Sequence, residues 1–151
     1  MRSGQSPEQA RSFTIQQVAK LTGLSEYTLR YYEKIGLIDP VDRDDSSGHR
    51  RYDADGLARI EALARLRAVG LGIDEMRVLM HSRGHRPETV ETKIALLAAH
   101  QTKLDQEIRS LRARKRFTEN RVAYWQAVLA GDEAAAGRLA AEGDALSERL
   151  D

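Results

Sequence analysis

Cysteine is absent from all 151 residues, which excludes disulfides, thiolate metal sites and thiol redox sensing. No apolar run approaches the roughly 20 residues of a membrane-spanning helix, so the sequence predicts a soluble, cytoplasmic protein with no membrane association. Net charge is also scarce: 24 Lys and Arg against 23 Asp and Glu leave +1. A nucleic-acid partner would therefore have to meet positive charge gathered locally, not a polycation. Aromatic residues make up only 5% of the chain, yet Tyr27, Tyr31 and Tyr32 crowd into one stretch, SEYTLRYYEKIGLI. The opening MRSGQSPEQAR has no apolar segment and reads as a disordered polar tail, residues 1–11, not a signal peptide. With 41% hydrophobic residues, the remainder can bury one modest core and carry an extended helical element.

The organised chain begins at FTIQQVAKLTGLS. Thr14 precedes a helical pattern in which Ile15, Val18, Ala19 and Leu21 fall near one face, and Gly23 ends it. Ser25 then caps a second helix whose Leu29, Tyr32 and Ile35 keep helical spacing until Gly36. Two short helices joined by a glycine-containing turn form a helix-turn-helix pattern. Tyr27, Arg30, Tyr31 and Lys34 are left on the outer surface of the second helix. Tyrosine and lysine are phosphate-contacting types, and arginine can take guanine bidentately. Beyond Pro40, Val41 to Arg43 and His49 to Tyr52 read as two short strands joined by the turn-rich Asp44 to Gly48. That wing carries Arg50 and Arg51 beside Tyr52, which suits a ribbon along a phosphate backbone or in a minor groove.

The run FTIQQVAKLTGLSEYTLRYYEKIGLIDP, followed by GHRRYD, resembles the DNA-binding domain of the MerR family of bacterial transcription regulators. The resemblance extends from about Ser12 to Leu129. It implies a homodimer that binds a palindromic promoter element with an over-long spacer and distorts the DNA so that RNA polymerase can engage it. The candidate DNA-contacting residues are Thr14, Ser25, Tyr27, Thr28, Arg30, Tyr31, Lys34, Arg43, His49, Arg50, Arg51 and Tyr52. The expected fold is mainly α: a winged helix-turn-helix DNA-binding domain with a second helix pair over 12–83, then a long antiparallel coiled-coil dimerisation helix.

In that second helix pair, Asp53 caps a helix with Leu57, Ile60, Leu63, Ala64 and Leu66 on one face. A shorter helix follows over Asp74 to Met80, with Met76 and Met80 as core filler. After the hinge HSRGHRP the pattern changes. Val90, Ile94, Leu97, Gln101, Leu104, Ile108 and Leu111 alternate steps of four and three, continued by Lys115, Thr118, Val122, Trp125 and Leu129, which is coiled-coil register. A helix of about 60 Å is too long for a domain this size to cover, so the seven residues from Val90 to Leu111 are the expected dimer interface. Lys115 and Thr118 weaken the stripe, which predicts a kink, an opening or a second surface near Phe117. The hinge and coiled coil are assigned to 84–129, and 130–151 to a short acidic C-terminal segment with Leu139, Leu146 and Leu150 inward.

His81, His85 and His100 have no companion carboxylate at ligand spacing, so no metal site and no cofactor is expected. With thiols and metal clusters excluded, the expected effector is a non-covalently bound organic small molecule, with Phe117, Tyr124 and Trp125 as its candidate aromatic walls. The basic run RSLRARKR reads as a solvated helix face. No nucleophile-base pair or phosphate loop points to an enzyme. The competing reading is an architectural DNA-bending protein without an effector, against which the long dimer helix argues.

Overall fold

The first helix starts where the chain can satisfy its own free amides. Thr14 Oγ1 accepts from the Gln17 amide at 3.2 Å, and the Gln17 side chain accepts from the Thr14 amide at 2.8 Å. This reciprocal capping box opens α1, Ile15–Thr22, and Gly23 closes it at φ 74°, a left-handed conformation that glycine adopts without penalty. The Ser25 hydroxyl likewise accepts from the Thr28 amide at 3.0 Å and opens α2, Glu26–Lys34. The structure, a computed structural model, describes residues 12–45, 47–81 and 86–150. The expected polar tail and His85 of the hinge lie outside them.

The wing differs from its sequence reading in how it is anchored. A single bridge, Arg43 to Arg50, joins the two arms of the hairpin, supported by backbone bonds from Asp44 to His49 and from Arg51 to Asp42, each 2.8 Å. The returning arm then leaves its partner. Strand β2, Arg51–Tyr52, pairs antiparallel with β1, Phe13–Thr14, in the register Phe13 to Tyr52 and Thr14 to Arg51. The residue that caps α1 is thus also a rung of the sheet that holds the wing.

Asp53 follows β2 directly and accepts from the Gly56 amide at 2.6 Å, opening α3, Ala54–Ala68. Helix α4, Ile73–His81, packs against α3. The core of this part of the chain comprises Val18, Leu24, Leu29, Tyr32, Leu37, Tyr52, Ile60, Leu63, Leu71 and Met76, all buried. Met76 fills that core as expected; Met80 is only partly covered.

The chain divides into two compact units, Met1–Lys93 and Ile94–Asp151, so the division falls inside helix α5, Pro87–Leu129. The second unit is a helical hairpin. Gly131, at φ 71°, turns the chain, and Asp132 caps α6, Glu133–Ser147. Helix α5 runs through Lys115 and Thr118 without a break; there Lys115 pairs with Glu119 at 2.7 Å and the Thr118 hydroxyl donates to the Arg114 carbonyl. What the weak stretch meets is α6. Buried Asn120 donates to the Leu139 carbonyl at 3.1 Å, Arg121 donates to the same oxygen at 2.9 Å, and Gly143 leaves room for the Arg121 guanidinium. Along α5, Ile94, Leu97, Ile108, Leu111, Val122, Trp125 and Leu129 are all exposed, so one copy of the chain leaves the apolar stripe uncovered. No helix among the described residues is long and apolar enough to cross a membrane.

The Tyr52 hydroxyl is buried without a hydrogen-bond partner among the described residues. Burial, and next the Glu33 carboxylate, push its pKa above the ordinary 10.0. The fold therefore holds this proton more tightly than the unfolded chain does. The contribution is fully present below pH 10 and is lost as pH rises further. We expect Tyr52→Phe to leave neutral-pH stability unchanged or raise it by up to about 1 kcal/mol, and to flatten the alkaline decline. Chemical denaturation at neutral pH and near pH 11 checks both; a loss above about 1 kcal/mol at neutral pH contradicts them.

Candidate nucleic-acid interface

On α2, Tyr27, Arg30, Tyr31 and Lys34 fall at i, i+3, i+4 and i+7, so they share one stripe. All four are exposed, Tyr27 at 78% and Tyr31 at 41%, whereas Leu29 and Tyr32 on the opposite side are buried. The crowding of tyrosines is thereby resolved into one core ring and two surface rings. The Tyr31 and Tyr32 centroids stand 6.3 Å apart.

Beside this stripe lies an open cleft lined by the start of α1, by α2 and by the wing. It brings together six of the candidate residues: Thr14, Arg30, Arg43, His49, Arg50 and Arg51. Gln16, Glu26 and Ser47 line it as well. Ser25, Tyr27, Thr28, Tyr31 and Lys34 belong to α2 or its cap and lie outside the cleft lining. Ser25 and Thr28 serve the helix start, their hydroxyls 2.9 Å apart, and Arg67 reaches Thr28 at 3.4 Å. Tyr52 is a correction. Strand alternation turns Arg51 outward and Tyr52 into the core at 3% exposure, so its ring is not on the surface.

The four arginines of the cleft are held differently. Arg30 Nη2 pairs with Glu26 Oε2 at 3.1 Å, one turn back on the same helix and largely in solvent. Such an exposed pair contributes about 0.3–0.5 kcal/mol, less than the roughly 1–3 kcal/mol of a good bidentate base contact, so Arg30 can exchange Glu26 for a ligand. Arg43 Nη1 donates to the Gly48 carbonyl at 3.3 Å inside the wing. Arg51 Nε stands 3.8 Å from Asp44 Oδ2, beyond hydrogen-bond range and easily redirected. Arg50 is different: its Nε donates to Glu33 Oε2 at 2.9 Å, with both side chains about one-fifth exposed. It joins the wing to α2.

Glu26 and Glu33 escape the sequence reading. Glu26 carries a legible signal, four residues before Arg30 on a helix; Glu33 carries none, being separated from Arg50 by 17 residues.

The candidate effector walls lie along α5 around one arginine. The Arg121 guanidinium stands over the rings of both Phe117 and Tyr124, at 5.7 and 4.9 Å from their centroids, while Trp125 meets Tyr124 edge-on and is 63% exposed. One face of each of Phe117 and Tyr124 is thus turned toward a cation of the chain itself.

A family model described as MerR HTH family regulatory protein matches residues 13–83, from β1 to just beyond α4. A protein of Haemophilus influenzae named as a probable heavy metal-dependent transcriptional regulator is 34% identical over 97 residues, 64% of this chain and 75% of its own length. HiNmlR, a MerR family regulator lacking the sensor domain and solved bound to promoter DNA, superposes with a TM-score of 0.64 at 26% identity, over 83% of this chain and 96% of its own. This chain belongs to the MerR family. The MerR chain is also 42% identical over 92 residues to the HTH-type transcriptional regulator AdhR of Bacillus subtilis, a match that spans 60% of this chain and 64% of AdhR.

The Glu33–Arg50 contact generates a prediction for this MerR protein. Each of Glu33→Ala and Arg50→Ala should destabilise the first unit, and the double variant should cost less than their sum by about 1 kcal/mol. A double-mutant cycle read by denaturation measures the coupling, and additive losses would show that the pair does not hold the wing.

Proposed function

We propose that this MerR chain is a DNA-binding transcription regulator. As a homodimer it binds a palindromic promoter element and distorts the spacer so that RNA polymerase can engage it. The observation that carries the reading is the union of the exposed α2 stripe with the arginine cleft of the wing, in a chain that shares its fold with a regulator solved on promoter DNA. The overall charge is near neutral, yet four arginines gather at this one surface, as the electrostatics of phosphate binding require.

In this reading Tyr27, Arg30, Tyr31 and Lys34 address the groove and its flanking phosphates. Arg43, His49 and Arg51 hold the backbone at the wing, while Thr14, Ser25 and Thr28 place helix starts near it and Arg50 fixes the wing's position. The winged helix-turn-helix with its second helix pair occupies 12–83, the hinge and dimerisation coiled coil 84–129 and the acidic segment 130–151. The exposed stripe of α5 supplies the dimer surface, because about 25 cal/mol per Å² of apolar area is recovered when a second copy covers it. Gln101 sets register in that seam. The effector is an organic molecule, since the chain lacks the thiolates that soft metals prefer.

Arg30→Ala should lose about 1–3 kcal/mol against the cognate site and little against random duplex. Arg51→Ala should weaken all sequences alike and reduce the salt slope by about one. Fluorescence anisotropy over a salt series separates the two, and wild-type binding by both variants would remove the interface from this surface.

Leu104→Asp would place two carboxylates in the seam. The variant should be monomeric and lose the palindromic site. Light scattering that still shows a dimer would locate the interface elsewhere on the chain.

A further inference from the structure

At the base of the wing lies a second cavity, of about 350 Å³, within the size range of small-molecule sites. Leu37, Ile60 and Leu63, among the most deeply buried side chains, border it together with Met80. Val41 and Asp42 close it from the outgoing arm of the wing, and Asp55 from the first turn of α3. It is an apolar chamber with a charged rim.

The rim sets the sign of what fits. Of its carboxylates, Asp39 is paired with Arg59 at 2.5 Å and Asp53 is engaged at the α3 cap. Arg51, the other rim cation, leans toward Asp44. Asp42 and Asp55, both exposed, have no side-chain partner among the described residues, which leaves two solvated carboxylates at the mouth of an apolar floor. An anion would be repelled by both, and a neutral molecule would gain nothing from either. A cation with an apolar body satisfies floor and rim together.

We propose that this cavity binds a small organic monocation and is the effector site of the protein. The binding half stands on the cavity alone; the regulatory half rests on the transcription-regulator reading. The link between them is Arg51. It borders the chamber and also lines the cleft that carries the candidate DNA contacts, and its amide donates to the Asp42 carbonyl at 2.8 Å across the wing. A cation drawn to Asp42 acts on the same rung of the hairpin that aims Arg51 at the cleft. The coupling is reciprocal, so DNA must change the affinity for the cation by the factor by which the cation changes the affinity for DNA.

Benzyltrimethylammonium and neopentylbenzene share one shape and differ by a charge, so they test the assignment directly on the full chain. Calorimetry should show the ammonium binding at least about tenfold more tightly than its neutral twin, and the double variant Asp42→Asn with Asp55→Asn should forfeit about that factor while its melting temperature falls by no more than a few degrees, the loss of the Asp55 charge at the start of α3. Val41→Trp, which fills the chamber, should abolish binding. Equal affinity for the twins, no ammonium binding up to its solubility, indifference to all these substitutions, or loss on Trp125→Ala instead would each overturn the site. With duplex selected from a random pool, ammonium should shift DNA affinity in the wild type and not in Val41→Trp. Intact ammonium binding without that shift overturns the regulatory half, whereas intact ammonium binding with no duplex retained contradicts the DNA reading and leaves the binding site standing.

Discussion

The 2.9 Å contact between Arg50 and Glu33 ties the wing directly to helix α2. Helix α2 can be placed by its own apolar side, since Leu29 and Tyr32 are buried. The wing has no comparable core of its own. Its position comes from β2 on β1, from Tyr52 in the core and from this ion pair, which together set Arg43, His49 and Arg51 in relation to Arg30. A pair at this depth is screened less than one in open solvent, which makes it a positional restraint and not a surface ornament. One basic side chain is committed so that the other cations of the cleft stay available.

The same economy recurs where the chain turns into its helices. Thr14 caps α1, pairs across to Arg51 and lines the cleft. Asp53 caps α3 immediately after Tyr52 enters the core. Each substitution at such a residue would move helix and wing together. The opposite design holds in the second unit, where the Asn120, Arg121 and Leu139 contacts fasten α6 to α5 while the α5 stripe stays open. A hairpin secured on one side and apolar on the other suits association through that free side.

Much of this was legible in the residues themselves. Caps at Thr14, Ser25 and Asp53, the closing Gly23, and the buried Leu29 and Tyr32 all follow from local spacing, because helix starts, stops and faces are decided within a few positions. The unbroken course of α5 was less so: the polar Lys115 and Thr118 suggest a weak point, but Glu119 and the Arg114 carbonyl lie one turn away and satisfy them. Two-residue strands leave almost no pattern, so the pairing of Phe13 with Tyr52 could not be read. Adjacency in sequence groups Tyr52 with Arg50 and Arg51, whereas strand alternation sends neighbours to opposite faces. Glu33 escapes for the general reason that a tertiary ion pair carries no mark in sequence, and the stacking of Arg121 on Phe117 and Tyr124 follows from helical spacing of three and four residues.

Selection of duplexes from a random pool by the purified 151-residue chain, followed by sequencing of those retained, bears most directly on the idea that α2 and the wing of two copies read one DNA site. A homodimer built this way should enrich an inverted repeat with a fixed spacer, and Arg30→Ala should blur one position in each half of it. Enrichment of a lone half-site, or no enrichment over the starting pool, would contradict the proposed regulator.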